Sequence, residues 1–118
     1  MTSRALSRKV AGYLLDKQAE EIIILDLRKL TTLADYFIIA TGSVDVHIKA
    51  IVDHVQRSLA GLKEPVKPYQ VEGYQNLRWV LMDYGDVVIH VFHPEARAFY
   101  QLEKLWGDAP VECVEPDL

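Results

Sequence analysis

Apolar residues recur along this chain in two periods, and the switches between them mark its elements. Leu6, Val10, Tyr13 and Leu14 fall at helical spacing, which predicts a helix over residues 4–17 with Ser3 as its cap and Gly12 as a weak point. Residues 21–27 are dominated by Ile and Leu and are too short for a helix apolar on both faces. They read as a central strand buried on both sides. A second strand is expected at 36–41, with a loop or a single helical turn over 29–35 between the two. Gly42-Ser43 ends it, and Ser43 is the expected N-cap of a long helix over 44–62. Val44, Ile48, Ile51, Val52, Val55, Leu59 and Leu62 form one stripe of that helix, with Asp45, Lys49, Asp53 and Arg57 off it.

The second half is richer in strands. Residues 69–72 suggest a short strand broken by Gly73. Residues 78–84 and 87–92 form a hairpin around a two-residue turn, Gly85-Asp86. Pro94 opens a last helix that the pattern carries to 105. Residues 109–118 hold Pro110, Pro116 and three acids and read as a loose tail beyond a single domain over 1–108. The predicted order is α-β-β-α-β-β-β-α: an α/β domain with helices packed on a mixed β-sheet of about five strands.

A two-residue turn pairs Tyr84 with Val87, Met82 with Ile89 and Val80 with Val91. These six are almost wholly apolar and form the expected core face under the helices. The other face carries Trp79, Leu81, Asp83, Val88, His90 and Phe92, with His90 diagonal to both Asp83 and Trp79. Two readings fit it. One is a second, thinner core layer in which Asp83 and His90 satisfy each other. The other is an exposed patch of aromatic anchors with a polar handle, the make-up of a protein-binding surface.

The chain has 118 residues, 50% hydrophobic and 25% charged, enough for one domain that needs no metal or disulfide staple. Its single cysteine, Cys113, excludes an internal disulfide and a cysteine zinc site. The formal net charge of −4 suits a basic protein surface better than phosphate-rich nucleic acid. No leader peptide or membrane-length apolar run is read, and a cytoplasmic location is expected.

Neither a metal nor a cofactor is expected. His47 and His54 lie seven residues apart on one helix, about 10.5 Å of rise, too far to share one metal ion; they read as solvated surface residues. His90 and His93 point to opposite faces of a strand. Gly42-Ser43, between a strand and a helix, hints at phosphate binding, and a strand ending in Gly-Ser resembles the nucleotidyltransferase fold. That fold holds magnesium on two carboxylates one residue apart on the next strand. Here the next acid is Asp53, in mid-helix, and Asp83 and Asp86 straddle a turn. No Walker loop, dinucleotide fingerprint or nucleophile elbow is present. A catalytic role is therefore not expected, and a nucleotide-binding or nucleotidyltransferase-like enzyme stands as the alternative.

Several segments carry a more specific signal. They are Leu25-Asp26-Leu27, Ala34-Asp35-Tyr36-Phe37-Ile38-Ile39-Ala40-Thr41-Gly42-Ser43, Lys49-Ala50-Ile51 and Glu72-Gly73. The run from Trp79 to Phe92 and that from Arg97 to Trp106 complete the set. Together they resemble the ribosomal silencing factors of the Iojap family over about residues 5–109. The chain departs at Val46, where the family usually has Arg. The resemblance implies a nucleotidyltransferase-like fold without catalytic residues, and a translational repressor that binds the large ribosomal subunit. It implies docking on the large-subunit ribosomal protein numbered fourteen, a steric block to small-subunit joining, and a possible homodimer when free; the acidic charge and short apolar runs add the expectation of little or no direct nucleic-acid contact and no membrane. The candidate contact residues are Trp79, Asp83 and His90, with Glu72, Tyr84, Tyr100 and Glu103 around them.

Overall fold

The computed structural model describes residues 1–116 and places the elements around one six-stranded sheet, in the order β3 (Gln70–Glu72), β4 (Trp79–Asp83), β5 (Val87–Phe92), β2 (Tyr36–Thr41), β1 (Glu20–Asp26) and β6 (Val111–Val114). Helix α1 (Ser3–Asp16) buries Leu6, Val10, Ala11 and Leu14. Its cap is Thr2, whose hydroxyl accepts from the Ala5 N–H at 3.0 Å. Ser3, the expected cap, instead donates to Asp35 at 2.7 Å and ties the helix start to the loop before β2. Strand β1 (Glu20–Asp26) runs antiparallel to β2 (Tyr36–Thr41). Helix α2 (Asp45–Ala60) then crosses the sheet with Ile48, Ile51, Val52, Val55 and Leu59 turned inward. Strands β3 (Gln70–Glu72), β4 (Trp79–Asp83) and β5 (Val87–Phe92) follow, and β5 returns parallel to β2.

The hairpin has the expected register, with Val80 opposite Val91 and Met82 opposite Ile89. The Tyr84 N–H donates to the Val87 carbonyl at 2.9 Å and closes the two-residue turn. Gly85 alone takes a positive φ there, +85°, the pattern of a type II′ turn. Asp83 accepts the Gly85 N–H at 2.8 Å and braces it. Every residue of β5 is buried, because this strand lies inside the sheet with side chains packed on both faces.

Two apolar layers result. Under α1 and α2 lie Ile22, Ile24, Tyr36, Ile38, Val80, Met82, Tyr84, Val87, Ile89 and Val91. On the other face Leu25, Leu27, Ile39 and Phe92 pack with Ala96, Leu102 and Ala109, joined by Phe37, Trp79 and Trp106. The predicted last helix is two pieces, α3 (Pro94–Tyr100) and α4 (Leu102–Leu105), because Gln101 between them adopts a left-handed φ of 48°. No helix among the described residues is long and apolar enough to cross a membrane.

Residues 117 and 118 lie outside the described residues, and over residues 109–116 the segment expected to be a loose tail is ordered against the sheet. It forms a sixth strand, β6 (Val111–Val114), antiparallel to β1. Pro110 accepts the Asp26 N–H at 3.0 Å, Arg8 of α1 clamps Glu112 through both its carboxylate oxygens, and Ala109 is buried. Prolines flanking a four-residue segment read as disorder, yet here they bracket an edge strand, where proline is tolerated. Ending the chain at Asp108 is thus expected to bare the β1 edge and to lower the thermal midpoint by several degrees. An unchanged midpoint in calorimetry would show that β6 contributes nothing to the fold.

Candidate functional site

The hairpin face away from α1 and α2 is built from aromatic rings in series. Trp79 stacks on Phe92 with centroids 4.9 Å apart and planes at 29°. Tyr100 of α3 also lies 4.9 Å from Trp79, tilted at 49°, and Phe99 meets Tyr100 edge-on at 5.0 Å. A branch runs from His90 to Phe37 at 4.7 Å and on to Trp106 at 5.8 Å. The Trp79 indole N–H donates to His90 Nδ1 at 3.1 Å. The column begins at fully buried Phe92 and ends in solvent, with Tyr100 52% and Phe99 80% exposed. Two structural facts make this possible. Proline at the first turn starts α3 immediately after β5, so the helix folds back on the sheet. The short helix then has only Ala96 and Arg97 to bury, which leaves Phe99 and Tyr100 facing out.

The seven candidate residues do not share one surface. Tyr84 is 6% exposed and lies in the layer under α1 and α2, on the far side of the sheet. Burial pushes its phenol up to about 12, and its hydroxyl has no protein partner. It is a core residue, which corrects its place among the contacts. His90 is 2% exposed and is not a surface handle either. Its partner is Trp79 rather than Asp83, whose carboxylate is turned to the Gly85 N–H. So the second-core-layer reading holds for the inner part of this face, while its rim is exposed.

Trp79 itself is half-buried. Trp79→Ala would unstack Phe92 and Tyr100 and leave His90 Nδ1 unpartnered. It is expected to cost roughly 2–3 kcal/mol of stability, below the range for a fully buried tryptophan. A denaturation midpoint equal to wild type would place this ring outside the packed layer.

On the rim, Glu72 is exposed on edge strand β3, opposite Leu81. Glu103 is half-buried and accepts from Arg97 Nε at 3.3 Å. Arg97 is buried and donates from Nη1 to the Glu21 carbonyl at 2.6 Å and to the Thr41 hydroxyl at 2.8 Å. It bolts α3 to β1 and β2 and thereby sets where Tyr100 stands. Neither this arginine nor the exposed Phe99 was singled out from sequence. Two adjacent aromatics, Phe99-Tyr100, which cannot both face the core from one helix, were the available signal.

The Gly42-Ser43 segment has a different use from the one its motif suggests. A Cβ added at Gly42 would lie 2.6 Å from Ile48 Cγ1, so the glycine is there to let α2 approach β2 closely. The Ser43 N–H donates to His47 Nδ1 at 2.8 Å, and His47 Nε2 lies 2.7 Å from the Lys17 carbonyl. The two bonds together require the Nε2–H tautomer. Ser43 is not the helix cap; Val44 holds that position without a side-chain bond. His54 is 3.0 Å from Asp16. His47 and His54 are therefore half-buried ties between α2 and the end of α1, not solvated residues. Among the described residues, no group of three or more His, Cys, Asp or Glu side chains is placed to hold a metal ion.

Comparison with known proteins gives this arrangement its context. The family model described as "Ribosomal silencing factor during starvation" matches residues 1–117. The chain is 38% identical over 115 residues to Ribosomal silencing factor RsfS of Halalkalibacterium halodurans, spanning 98% of this chain and 97% of that protein. It is 40% identical over 111 residues to the protein of that name from Bacillus subtilis, spanning 94% and 92%. It is also similar to the chloroplastic protein Iojap of Zea mays, 38% identical over 96 residues, which spans 80% of this chain and 41% of that protein. A crystal structure of a Chromobacterium violaceum protein superposes with a TM-score of 0.84 at 39% identity, covering 91% of this chain and 88% of that one. A six-stranded sheet with one aromatic, partly exposed face, matched over nearly its whole length, thus belongs to the family of ribosomal silencing factors.

Proposed function

We propose that this protein represses translation in the cytoplasm by docking its aromatic face on a basic protein of the large ribosomal subunit, the one numbered fourteen. Occupying that surface blocks the small subunit from joining. The observation that carries the reading is the column Phe92–Trp79–Tyr100–Phe99, which starts in the core and ends exposed. Rigid aromatic anchors at the centre of a contact supply most of the binding energy of many interfaces. Glu72 on β3 and Asp83 at the end of β4 lie on the same side of the sheet as Trp79, and Glu103 follows on α4, on a chain of net charge −4. That sign complements a basic ribosomal protein and disfavours the RNA beside it. The mechanism needs no chemistry, only binding energy placed where the other subunit must dock.

Co-sedimentation with purified large and small subunits tests this. The wild-type chain is expected in the large-subunit fraction, and excess chain is expected to reduce the yield of joined ribosomes. Tyr100→Ala removes an exposed anchor and should weaken binding about 30-fold, equivalent to about 2 kcal/mol. Asp83→Asn keeps an oxygen for the Gly85 N–H while removing the charge, so it should weaken binding severalfold without loosening the turn. If both variants sediment like wild type, the docking surface lies elsewhere on the molecule.

A further inference from the structure

We propose that His90 is a positioning residue that holds Trp79 in the orientation required for partner binding. The inference rests on the docking reading above and deepens it. Contact with Phe92, stacked at 29°, and with Tyr100, tilted at 49°, sets the plane of the Trp79 ring but not which of its edges carries the N–H, because a flip about χ2 exchanges the edges and keeps the plane. The indole N–H to His90 Nδ1 bond, 3.1 Å long, removes that freedom. An indole nitrogen only donates, so Nδ1 must be bare and the proton of the neutral imidazole sits on Nε2. That Nε2 is buried and has no partner among the described residues.

Packing gives no reason for an imidazole at this place. The ring is 2% exposed, between Phe37 of β2 and Trp79 of β4. A phenyl ring would fill the same space without an orphaned N–H, and an unpaired buried donor destabilises a fold. The one hydrogen bond that the His90 side chain makes goes to the residue that links the core to the exposed aromatics. It also occupies the indole N–H, so that Trp79 offers a partner apolar ring surface rather than a hydrogen bond.

Two substitutions separate positioning from mere structure. His90→Phe keeps the ring and removes the acceptor. His90→Asn brings an oxygen near the place of Nδ1 but leaves a gap and a buried amide. Stability should therefore rank His90→Phe at or above wild type, with His90→Asn lowest. Large-subunit affinity, corrected for folded fraction, should run otherwise: roughly tenfold weaker for His90→Phe and partly restored in His90→Asn. A purely structural role makes affinity follow stability, and wild-type affinity in His90→Phe would overturn the proposal.

A second measurement does not depend on the ribosome. In a Trp106→Phe background Trp79 is the sole tryptophan, since the chain has two. Hydrogen exchange of its indole N–H, followed by NMR, should be at least tenfold faster in His90→Phe than in the parent. Equal rates would overturn the proposal. If the wild-type chain fails to co-sediment at all, the docking reading falls, and indole exchange alone decides whether His90 orients Trp79.

Discussion

Gly73→Ala is expected to cost at least about 4 kcal/mol of stability, among the largest effects of any single substitution in this chain. Gly73 has a φ of +81°, a conformation that costs an L-residue about 1–2 kcal/mol by itself. The greater problem is space. A Cβ at this position would lie 2.0 Å from the Trp79 carbonyl oxygen and 3.1 Å from its carbon. Both atoms are backbone, so no side chain can swing away. The Gly73 carbonyl also accepts the N–H groups of Asn76 and Leu77, at 3.2 and 3.0 Å, which closes the loop between β3 and β4. Relief requires opening that loop and moving Trp79, the first residue of β4.

Gly85→Ala is the internal control. Gly85 also has a positive φ, but its Cβ would meet only the ring of Tyr69, an exposed side chain free to move. About 1–2 kcal/mol is expected there, the conformational cost alone. Equilibrium urea unfolding measures both. A Gly73→Ala variant within about 1 kcal/mol of wild type would mean that the loop relaxes without disturbing β4.

The second large effect is loss of stability in mild acid. Burial pushes the His90 imidazole down to about 4 from its ordinary 6.5, because the charged form has no water around it. The unfolded chain protonates this residue near 6.5 and the folded protein only near 4, so between them the unfolded state binds the extra proton. The His90 contribution is therefore complete above pH 6.5 and is lost as pH falls towards 4, a total of about 3 kcal/mol. Protonation would also place a donor at Nδ1 and turn it against the Trp79 N–H. The carboxylates act lower: hydrogen bonds from Arg28 and Arg8 hold Asp26 and Glu112 below their ordinary values of 3.8 and 4.5. Between pH 6.5 and about 4.5 the slope belongs mainly to His90, at most about 1.4 kcal/mol per pH unit. Unfolding free energies across this range should fall for wild type and stay nearly flat for His90→Phe. Parallel curves for the two proteins would assign the acid limb to other groups.

Much of this molecule was decided locally and so was open to reading from sequence. The two-residue Gly85-Asp86 turn sets the hairpin register, because a one-residue slip would reverse every side chain between the faces. The α2 stripe needs only helical spacing, and five of its seven predicted residues are buried in that helix. The segments carrying the family resemblance, from Leu25 to Trp106, match along the chain without any knowledge of contacts. Trp79 and Tyr100, both candidate contact residues from sequence, stand against each other in the fold.

What the sequence left open depended on groups far apart in the chain. Period-2 alternation sorts hairpin residues into two faces but cannot say how deeply the second is covered. Only α3 and α4, folded back over the sheet with the segment through Ala109, bury that layer and leave Phe99 and Tyr100 outside. His90 became the partner of Trp79 rather than Asp83 because the nearer Gly85 N–H claims the carboxylate. Ser43 is not the cap because its N–H is held by His47, one helical turn away and itself anchored on the Lys17 carbonyl, and α2 begins a residue later with Val44 at the cap position. β6 is only four residues, Val-Glu-Cys-Val, between its prolines, too short to stand as a strand alone. It is a strand because β1 offers an unpaired edge and Arg8 on α1 waits for Glu112, and neither is visible until the chain has folded.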